Sequence, residues 1–251
     1  LQEIEQFLNS YLEIENYQTD SFINGLNVSG KERIEKIVVG VSPNMELFKK
    51  ADKWRADLII THHALLNKGM LKDGLRGVIR DRINFLLSKN IPLLCYHLPL
   101  DFHREIGNNV LILEKLGADF KRQAGELEGF KGIFFIGRFP KSVSINVLIK
   151  KIKKLFQQEP KTVLFGKKAI KTIAVVSGAG TKLVAHLPKE VDLYLTGEIT
   201  ESVPPLVKEM KINFIAAGHY ATEVFGIQAL AKKLEEKFRV KTKFIPVRVP
   251  Y

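Results

Sequence analysis

The feature that most constrains the fold is a regular alternation of short apolar segments with amphipathic segments of helical spacing. Residues 36–41 and 57–61 predict buried strands, and residues 43–54 between them predict a helix with an early proline. Residues 91–96 predict another strand, and residues 106–117 predict a helix that ends at a glycine. This alternation is typical of an α/β fold with mostly parallel mixed sheets.

The alternation restarts in the second half of the chain, which indicates an internal duplication. "DLIITHH" begins at Asp57 after a strand that opens at Ile37, and "DLYLTGE" begins at Asp192 after a strand that opens at Ile173. Each half then ends a further strand with a polar cluster, "YHLPLD" in the first and "GHYATE" in the second. We therefore predict two related α/β repeats, residues 1–125 and 126–251, with the C-terminal helix packed back on the first repeat.

The composition favours a globular protein of the cytoplasm. The chain has 251 residues, of which 45% are hydrophobic, and this is enough for a substantial core. No stretch approaches the roughly 18 uninterrupted apolar residues of a membrane span, so we expect no membrane partner. The single cysteine, Cys95, excludes an internal disulfide and suits a reducing compartment. Its apolar surroundings predict a small buried hydrophobic residue.

The positive charge is concentrated in one stretch of the chain. The net charge is +12, and the stretch from Lys141 to Lys182 contains ten lysines and one acidic residue, Glu159. Within it, apolar residues keep helical spacing while four lysines occupy the other face of the helix. The stretch either attracts phosphate-rich ligands or nucleic acid, or it is a solvated helix face, and the pattern favours the second interpretation. Nucleic acid stays open as a partner.

Histidines and carboxylates gather where the apolar strands end, which is where α/β sheets bind ligands. Five of the six histidines lie just beyond a strand, namely His62, His63, His97, His103 and His219. His186 falls in a helical pattern and is expected to be structural. Asp101, Glu198 and Glu223 accompany the strand-end histidines. Imidazole and carboxylate together bind first-row divalent metals, and two adjacent histidines suit two ions better than one. The pattern therefore predicts a metal site.

The motifs also resemble a known family over nearly the whole chain and in the same order. The segments that carry the resemblance are "DSFINGLNVSG", "DLIITHHALL", "YHLPLDFHREIGNN", "LTGEITES" and "GHYATE". Together they are similar to the NIF-three-like family, whose bacterial members often carry the label GTP cyclohydrolase I type 2 homologue. The length is that of the short form of the family, without the inserted middle domain.

The resemblance implies two intertwined α/β/α repeats, a dinuclear centre with two divalent ions per chain, and assembly into a hexameric ring. The metal ligands carried over by motif are His62, His63, Asp101, His219 and Glu223, with Glu223 as the bridging carboxylate. His97 is expected to orient a ligand, and Glu198 is expected to position water or substrate or, alternatively, to cap the following helix. The ions could be Zn, Mn, Fe or Ni, since the donor types do not discriminate among them.

Two departures from the family pattern weaken any transfer of its chemistry. Ser42 stands near a position where many members carry an aspartate, and Glu201 and Ser202 occupy the place of a histidine that often follows "TGEI". The leading hypothesis is a metal-dependent hydrolase that acts on a nucleotide or another phosphate-containing small molecule, with GTP suggested by the family label alone. "SGAGTK", a glycine turn at residues 177–182, could meet phosphate. The alternative is a ring-forming nucleic-acid-binding or protein-binding regulatory module with a structural metal site.

Overall fold

The chain folds into two units, each built on its own β-sheet, in a computed structural model that describes residues 1–70, 74–127 and 129–247. The first unit contains Leu1–Ile106 together with the segment that begins at Gly226, and the second contains Gly107–Phe225. The chain therefore leaves the first unit once and returns to it at its C-terminal end. The boundaries predicted for the two repeats, 1–125 and 126–251, stay a prediction.

The elements up to residue 106 alternate as the hydrophobic pattern predicted. They are α1 (Gln2–Tyr11), a 3₁₀ helix (Ile14–Tyr17), β1 (Gly25–Val28), β2 (Lys36–Gly40), α2 (Met45–Lys53), β3 (Leu58–Thr61), α3 (Gly77–Ser88), β4 (Leu93–Cys95) and α4 (Leu98–Asp101). The helix predicted after β2 is capped by Asn44, whose side chain accepts a hydrogen bond from the Leu47 N–H.

The remaining elements begin with a helix and a long antiparallel hairpin. They are α5 (Asn108–Leu116), β5 (Asp119–Leu127), β6 (Phe130–Ser144), α6 (Ile145–Phe156), β7 (Lys161–Leu164), β8 (Ala169–Val175), a 3₁₀ helix (Gly180–His186), β9 (Leu193–Thr196), α7 (Val203–Met210), β10 (Asn213–Ala216), α8 (His219–Thr222), α9 (Val224–Phe238) and β11 (Lys241–Phe244). Gly117 ends α5 in the left-handed conformation, as a C-terminal glycine should.

The strand order of the two sheets contains the same four-strand arrangement twice. The first sheet has the order β1-β4-β3-β2-β11, and the second has the order β5-β6-β8-β9-β10-β7. In each, three successive strands pair in parallel, β2-β3-β4 and β8-β9-β10, and the preceding strand, β1 or β7, pairs antiparallel with the last of them. The α/β fold is therefore confirmed. Parallel pairing dominates the first sheet, whereas the β5–β6 hairpin and β7 give the second sheet more antiparallel neighbours.

The first sheet is covered on both faces, which explains why its strands are continuously apolar. Alternate residues of β2 point to opposite sides, so Ile37 and Val39 join one core cluster while Val38 joins the other. Residues of α1 and α9 complete the first cluster, and residues of α2 and α3 complete the second. Cys95 is fully buried in the second cluster, as the sequence predicted.

A half-buried carboxylate clamps the start of β2 to the start of β3. Asp57 Oδ1 accepts a hydrogen bond from Lys31 Nζ at 3.1 Å, and its Oδ2 accepts from the backbone N–H groups of Glu35 and Lys36. Burial alone would raise the pKa of this carboxyl, but the hydrogen bonds outweigh burial and lower the pKa.

The second unit repeats this clamp with the same atoms. Asp192 Oδ1 accepts from Lys167 Nζ at 2.8 Å, and its Oδ2 accepts from the backbone N–H groups of Lys171 and Thr172 at the start of β8. The pKa of this carboxyl is also lowered, because the hydrogen bonds outweigh the effect of burial. Two independent clamps of identical design support the internal duplication read from "DLIIT" and "DLYLT".

Within the part of the chain that the structure describes, no helix combines the length and the apolar character that a membrane crossing requires.

Replacing either clamp carboxylate by an amide should destabilise the protein in a pH-dependent manner. We expect Asp57→Asn and Asp192→Asn to lower the free energy of unfolding by roughly 1–3 kcal/mol at neutral pH, because backbone N–H groups lose their charged acceptor. The lowered pKa values place this stabilisation above the ordinary aspartate pKa of about 4, and it is lost as the pH falls through the folded-state values. Urea unfolding between pH 7 and pH 3 should show the difference from wild type shrinking with acid.

The exposed Asp119→Asn variant is the control, since the ion pair that its carboxylate makes within the described residues is an exposed one, with Lys121 at 3.5 Å. It should unfold within about 0.5 kcal/mol of wild type. A pH-independent loss in the two clamp variants would contradict the assignment of the effect to the carboxylate charge.

Candidate metal centre

The first group of candidate metal-binding side chains follows β3 at the carboxyl edge of the first sheet. The parallel pairing of β3 with β2 continues past Thr61, because the His62 N–H donates to Gly40 O and the His63 N–H donates to Val41 O at 2.8 Å. This pairing fixes the backbone of both histidines, and their ring centroids lie 5.0 Å apart. The strand end therefore presents two rigidly placed imidazoles.

Each of these imidazoles is oriented by a hydrogen bond on its Nδ1 atom. His62 is fully buried, and its Nδ1 lies 3.1 Å from the Tyr96 carbonyl oxygen, which can only accept. Nδ1 therefore carries a proton, and Nε2, which lies 3.5 Å from Asp101 Oδ2, is the ring nitrogen that faces the carboxylate. His63 Nδ1 lies 2.9 Å from Ser42 Oγ, so Ser42, one of the departures from the family pattern, holds this ring directly.

A third imidazole comes from the end of β4. His97 Nδ1 lies 3.0 Å from Asp20 Oδ2, and its ring centroid is 5.2 Å from that of His62. His62, His63 and His97 each offer one ligand atom, and these atoms all lie within 4.8 Å of one another. Three imidazoles at this separation, with a buried carboxylate beside them, fit a divalent cation of the first transition row.

Asp20 is the residue of this group that the sequence analysis did not predict. Burial alone would raise its pKa, but hydrogen bonds from His97, Asn24 and the Phe22 N–H outweigh burial and lower the pKa. The signal was present, since "DSFINGLNVSG" begins at Asp20 and contributes to the family resemblance, but nothing local in that segment points to His97.

The second group of side chains follows β9 and β10 in the second unit. His219 lies between two carboxylates, with Nδ1 2.6 Å from Glu198 Oε1 and Nε2 3.1 Å from Glu223 Oε1. Burial lowers the affinity of this imidazole for a proton, but the two carboxylates outweigh burial and raise the pKa of His219 to about 9. Glu223 is 2% exposed, so this unit holds a buried carboxylate against an imidazole whose nitrogens both face negative charge.

The chain at "GHYATE" is not one continuous helix. The helix α8 ends at Thr222, and Glu223 stands between it and α9. Thr222 Oγ1 donates to the carbonyl oxygens of Gly218 and His219 and accepts from the Gly178 N–H, so the threonine competes with helical hydrogen bonding. His219 and Glu223 nevertheless lie side by side, as their spacing predicted.

The glycine turn of "SGAG" packs against this second group. Gly178 has φ +63°, and a Cβ atom there would overlap Glu223 Oε1 and approach His219 Nε2. Its carbonyl oxygen accepts from the Gly197 N–H at 2.9 Å. The segment that follows is a 3₁₀ helix, Gly180–His186. The observed role of Gly178 is therefore close packing against Glu223, a role that sequence reasoning did not foresee.

A cavity of about 320 Å³ opens beside the second group. Its lining includes Gln158, Lys161, Gly197, Glu198, Gly218 and His219. Glu159, which also lines it, pairs with Lys153, and Glu198 pairs with His219. Among the described residues Lys161 has no carboxylate partner, so it supplies the uncompensated positive charge of the cavity.

Two other histidines lie outside both groups. His103 Nε2 lies 3.2 Å from the Tyr11 carbonyl oxygen, and its ring packs on the Tyr11 ring, so this strand-end histidine ties the chain to α1. His186 is exposed at the end of its 3₁₀ helix. The remaining predicted residues fall into the two groups described, the first with His62, His63, His97 and Asp101 and the second with Glu198, His219 and Glu223.

The duplicated α/β architecture with histidine and carboxylate groups at its strand ends defines a class of candidate metal-binding proteins. The model of the Duf34/NIF3 (NGG1p interacting factor 3) family matches residues 1–250. The chain therefore belongs to the Duf34/NIF3 family, which confirms the resemblance carried by the motifs.

Relatives and solved structures agree with this assignment. The chain is 37% identical to the GTP cyclohydrolase 1 type 2 homolog of Archaeoglobus fulgidus over 98% of each chain. It is 39% identical to the protein of the same name from Pyrococcus horikoshii, over 97% of this chain and 96% of that one. The structure of protein ybgI superposes with a TM-score of 0.92 at 32% identity and covers 100% of this chain and 99% of that chain.

Adding a methyl group at Gly178 should disturb the second group more than the same change at another left-handed glycine. We expect Gly178→Ala to lower the free energy of unfolding by roughly 2–5 kcal/mol, because a strained backbone combines with overlap at Glu223. Gly129→Ala is the matched control, since Gly129 has φ +85° and nothing within 4 Å of the added Cβ. It should cost only the backbone strain, about 1–2 kcal/mol.

Urea unfolding of the two variants checks this difference. Equal losses for Gly178→Ala and Gly129→Ala would show that Glu223 does not depend on the close packing of the glycine turn.

Proposed function

We propose that the chain binds two divalent metal ions and uses them to hydrolyse a phosphate-containing small molecule. The observation that carries the proposal is the convergence of three imidazoles, His62, His63 and His97, with ligand atoms within 4.8 Å of one another beside the buried Asp101. Burying so many polar groups at one sheet edge is costly unless they act on a cation or on each other.

The proposed ligands are the five residues that the family motifs suggest. The residues that would hold the ions are His62, His63, Asp101, His219 and Glu223. The burial of His62, Asp101 and Glu223 supports the assignment, as do the imidazole and carboxylate donors, which suit Zn, Mn, Fe and Ni alike. A divalent ion held by these donors supplies Lewis acidity for hydrolysis.

Glu198 and His97 are the proposed catalytic residues of the chain. One carboxylate oxygen of Glu198 contacts His219 Nδ1, and the residue lines the cavity. In this position the carboxylate can accept a proton from water. His97 stands beside His62 and His63 and can hydrogen-bond to a group bound there. Both roles require a side chain held in place, which Glu198 receives from His219 and His97 receives from Asp20.

The substrate class follows from the size and charge of the cavity in the second unit. A volume of about 320 Å³ suits one small molecule. Lys161 provides a cation without a carboxylate partner among the described residues, which favours a phosphate group over a neutral ligand. The name of the relatives suggests a nucleotide, and GTP is the first compound to test.

Removing single proposed ligands should reduce metal binding and turnover strongly without unfolding the protein. We expect His63→Ala and Glu223→Ala to lose at least half of the divalent metal bound after reconstitution, and turnover to fall about a hundredfold. Elemental analysis of the purified protein and a screen of nucleotides and phosphoesters with added divalent metals measure the two effects.

His186→Ala is the matched control, because this histidine is exposed and lies outside both groups. It should keep its metal and its activity. Wild-type protein that holds no divalent metal before or after reconstitution would refute the proposal.

Neutralising Lys161 should weaken substrate binding and leave the chemical step unchanged. We expect Lys161→Gln to raise KM about fivefold for a phosphorylated substrate at unchanged kcat, since a partly exposed charge contributes about 1 kcal/mol of uniform binding. Lys168→Gln is the control with the same change of charge at an exposed position outside the cavity. Equal effects of the two substitutions would indicate a general electrostatic effect instead of a contact in the cavity.

The basic helix α6 supports the alternative, a nucleic-acid-binding module, less well. Its apolar face is buried through Ile145, Leu148, Ile152 and Phe156. Of the four lysines on it, Lys151 donates to the Leu116 carbonyl oxygen and Lys153 pairs with Glu159. Half of the lysines expected to meet a phosphate backbone therefore have partners within the chain.

A further inference from the structure

Asp20 is a buried carboxylate of the first unit that faces an imidazole. It is 2% exposed, and its oxygens accept hydrogen bonds from the N–H groups of Phe22 and Leu98, from Asn24 Nδ2 and from His97 Nδ1. The two side chains that face each other are 77 residues apart in sequence. A carboxylate buried in this way is held at one place by its backbone and amide donors, and it presents its remaining acceptor capacity to the imidazole.

This contact fixes which nitrogen of His97 carries the proton. A carboxylate only accepts hydrogen bonds, so Nδ1, which lies 3.1 and 3.0 Å from the two Asp20 oxygens, is the protonated atom. The lone pair is then on Nε2, on the far side of the ring. The same arrangement of carboxylate and histidine orients metal-binding imidazoles and makes them more basic.

The rest of the "DSFIN" segment holds the ring and backbone of His97. The Phe22 ring stands edge-on to the His97 ring with centroids 4.6 Å apart, and Asn24 Oδ1 accepts from the His97 N–H at 2.7 Å. The motif that begins at Asp20 thus contacts His97 three times, through a carboxylate, an aromatic ring and an amide oxygen. Its opening residues act together as a support for one histidine.

We infer that Asp20 is a positioning residue for metal binding by the first unit, and that it acts by directing the Nε2 lone pair of His97 into the group formed with His62 and His63. The inference rests on the proposed function, because it assigns a supporting residue to the same metal centre. It adds Asp20, which has none of the proposed ligand or catalytic roles, and it gives His97 a contact with the metal ion in addition to its proposed catalytic role.

Asp57, which is half-buried, provides a control for the structural value of a hydrogen-bonded carboxylate in the same unit. It also accepts two backbone N–H groups and one side chain, but that side chain is Lys31, and no histidine is involved. Asp57→Asn and Asp20→Asn therefore remove the same charge from the same unit, and only the second weakens the support of an imidazole.

The experiment measures Zn²⁺ affinity of the full chain by competition with a chromophoric chelator, without any substrate. We expect Asp20→Asn to weaken Zn²⁺ binding about tenfold or more, whereas Asp57→Asn leaves it unchanged. In a double-mutant cycle, Asp20→Asn should have little further effect once His97 is replaced by Gln, because the two residues act as one unit. Wild-type affinity in Asp20→Asn, or an undiminished effect in the His97→Gln background, would overturn the inference.

A second measurement needs no variant and so does not depend on folding of the substituted protein. The ¹⁵N chemical shifts of the His97 ring in the wild-type protein should show a protonated Nδ1 and an unprotonated Nε2, and the reverse tautomer would overturn the inference. Failure of the proposed hydrolysis would appear separately, as metal-loaded protein without turnover while the Zn²⁺ affinities and ring shifts keep the expected pattern.

Discussion

Parallel pairing of three successive strands is the constraint on which both donor groups depend. In the first unit β2, β3 and β4 run in parallel, and in the second unit β8, β9 and β10 do so. The carboxyl ends of parallel strands lie at one edge of the sheet, so residues that follow different strands become neighbours. The pairing of the strands brings these side chains together, and no interaction between the side chains is required. His62 and His97 are brought together in this way in the first unit, as are Glu198 and His219 in the second.

Buried and half-buried carboxylates serve different purposes at the two ends of these strands. A carboxylate removed from water is tolerated when charged or backbone donors replace the lost hydration. At the strand starts, Asp57 and Asp192 meet this need with a lysine and two N–H groups, and the result is a clamp. At the strand ends, Asp101 and Glu223 instead face imidazoles, which can exchange a proton for a metal ion. The partner, more than the burial, decides what each carboxylate does.

The sequence was sufficient to predict the features that periodicity and spacing determine, such as strands and neighbouring side chains. It was insufficient to predict contacts between distant segments. Strands at 36–41, 57–61 and 91–96 were predicted from continuous apolar runs. Strands that are buried on both faces are apolar at nearly every position, so such runs are easy to recognise. His219 and Glu223 were predicted as neighbours from their spacing, although Thr222 interrupts the helix between them. The sequence analysis did not pair Asp20 with His97, because 77 positions that contain strands β1 to β4 separate them in the chain. Nor could the packing of Gly178 on Glu223 be read from either segment alone.

The duplication separates the requirements of the fold from those of the site. The clamp aspartates keep the same hydrogen bonds in both copies, and Tyr96 and Ala217 donate their N–H groups to Thr61 and Thr196 in equivalent positions. Two residues beyond those threonines the copies diverge, with His63 in one and Glu198 in the other. An imidazole and a carboxylate therefore occupy the same backbone position. At His63 this backbone is fixed by the pairing with Val41 O and not by the side chain. A duplicated fold of this kind can therefore combine imidazole and carboxylate ligands from one repeated strand end.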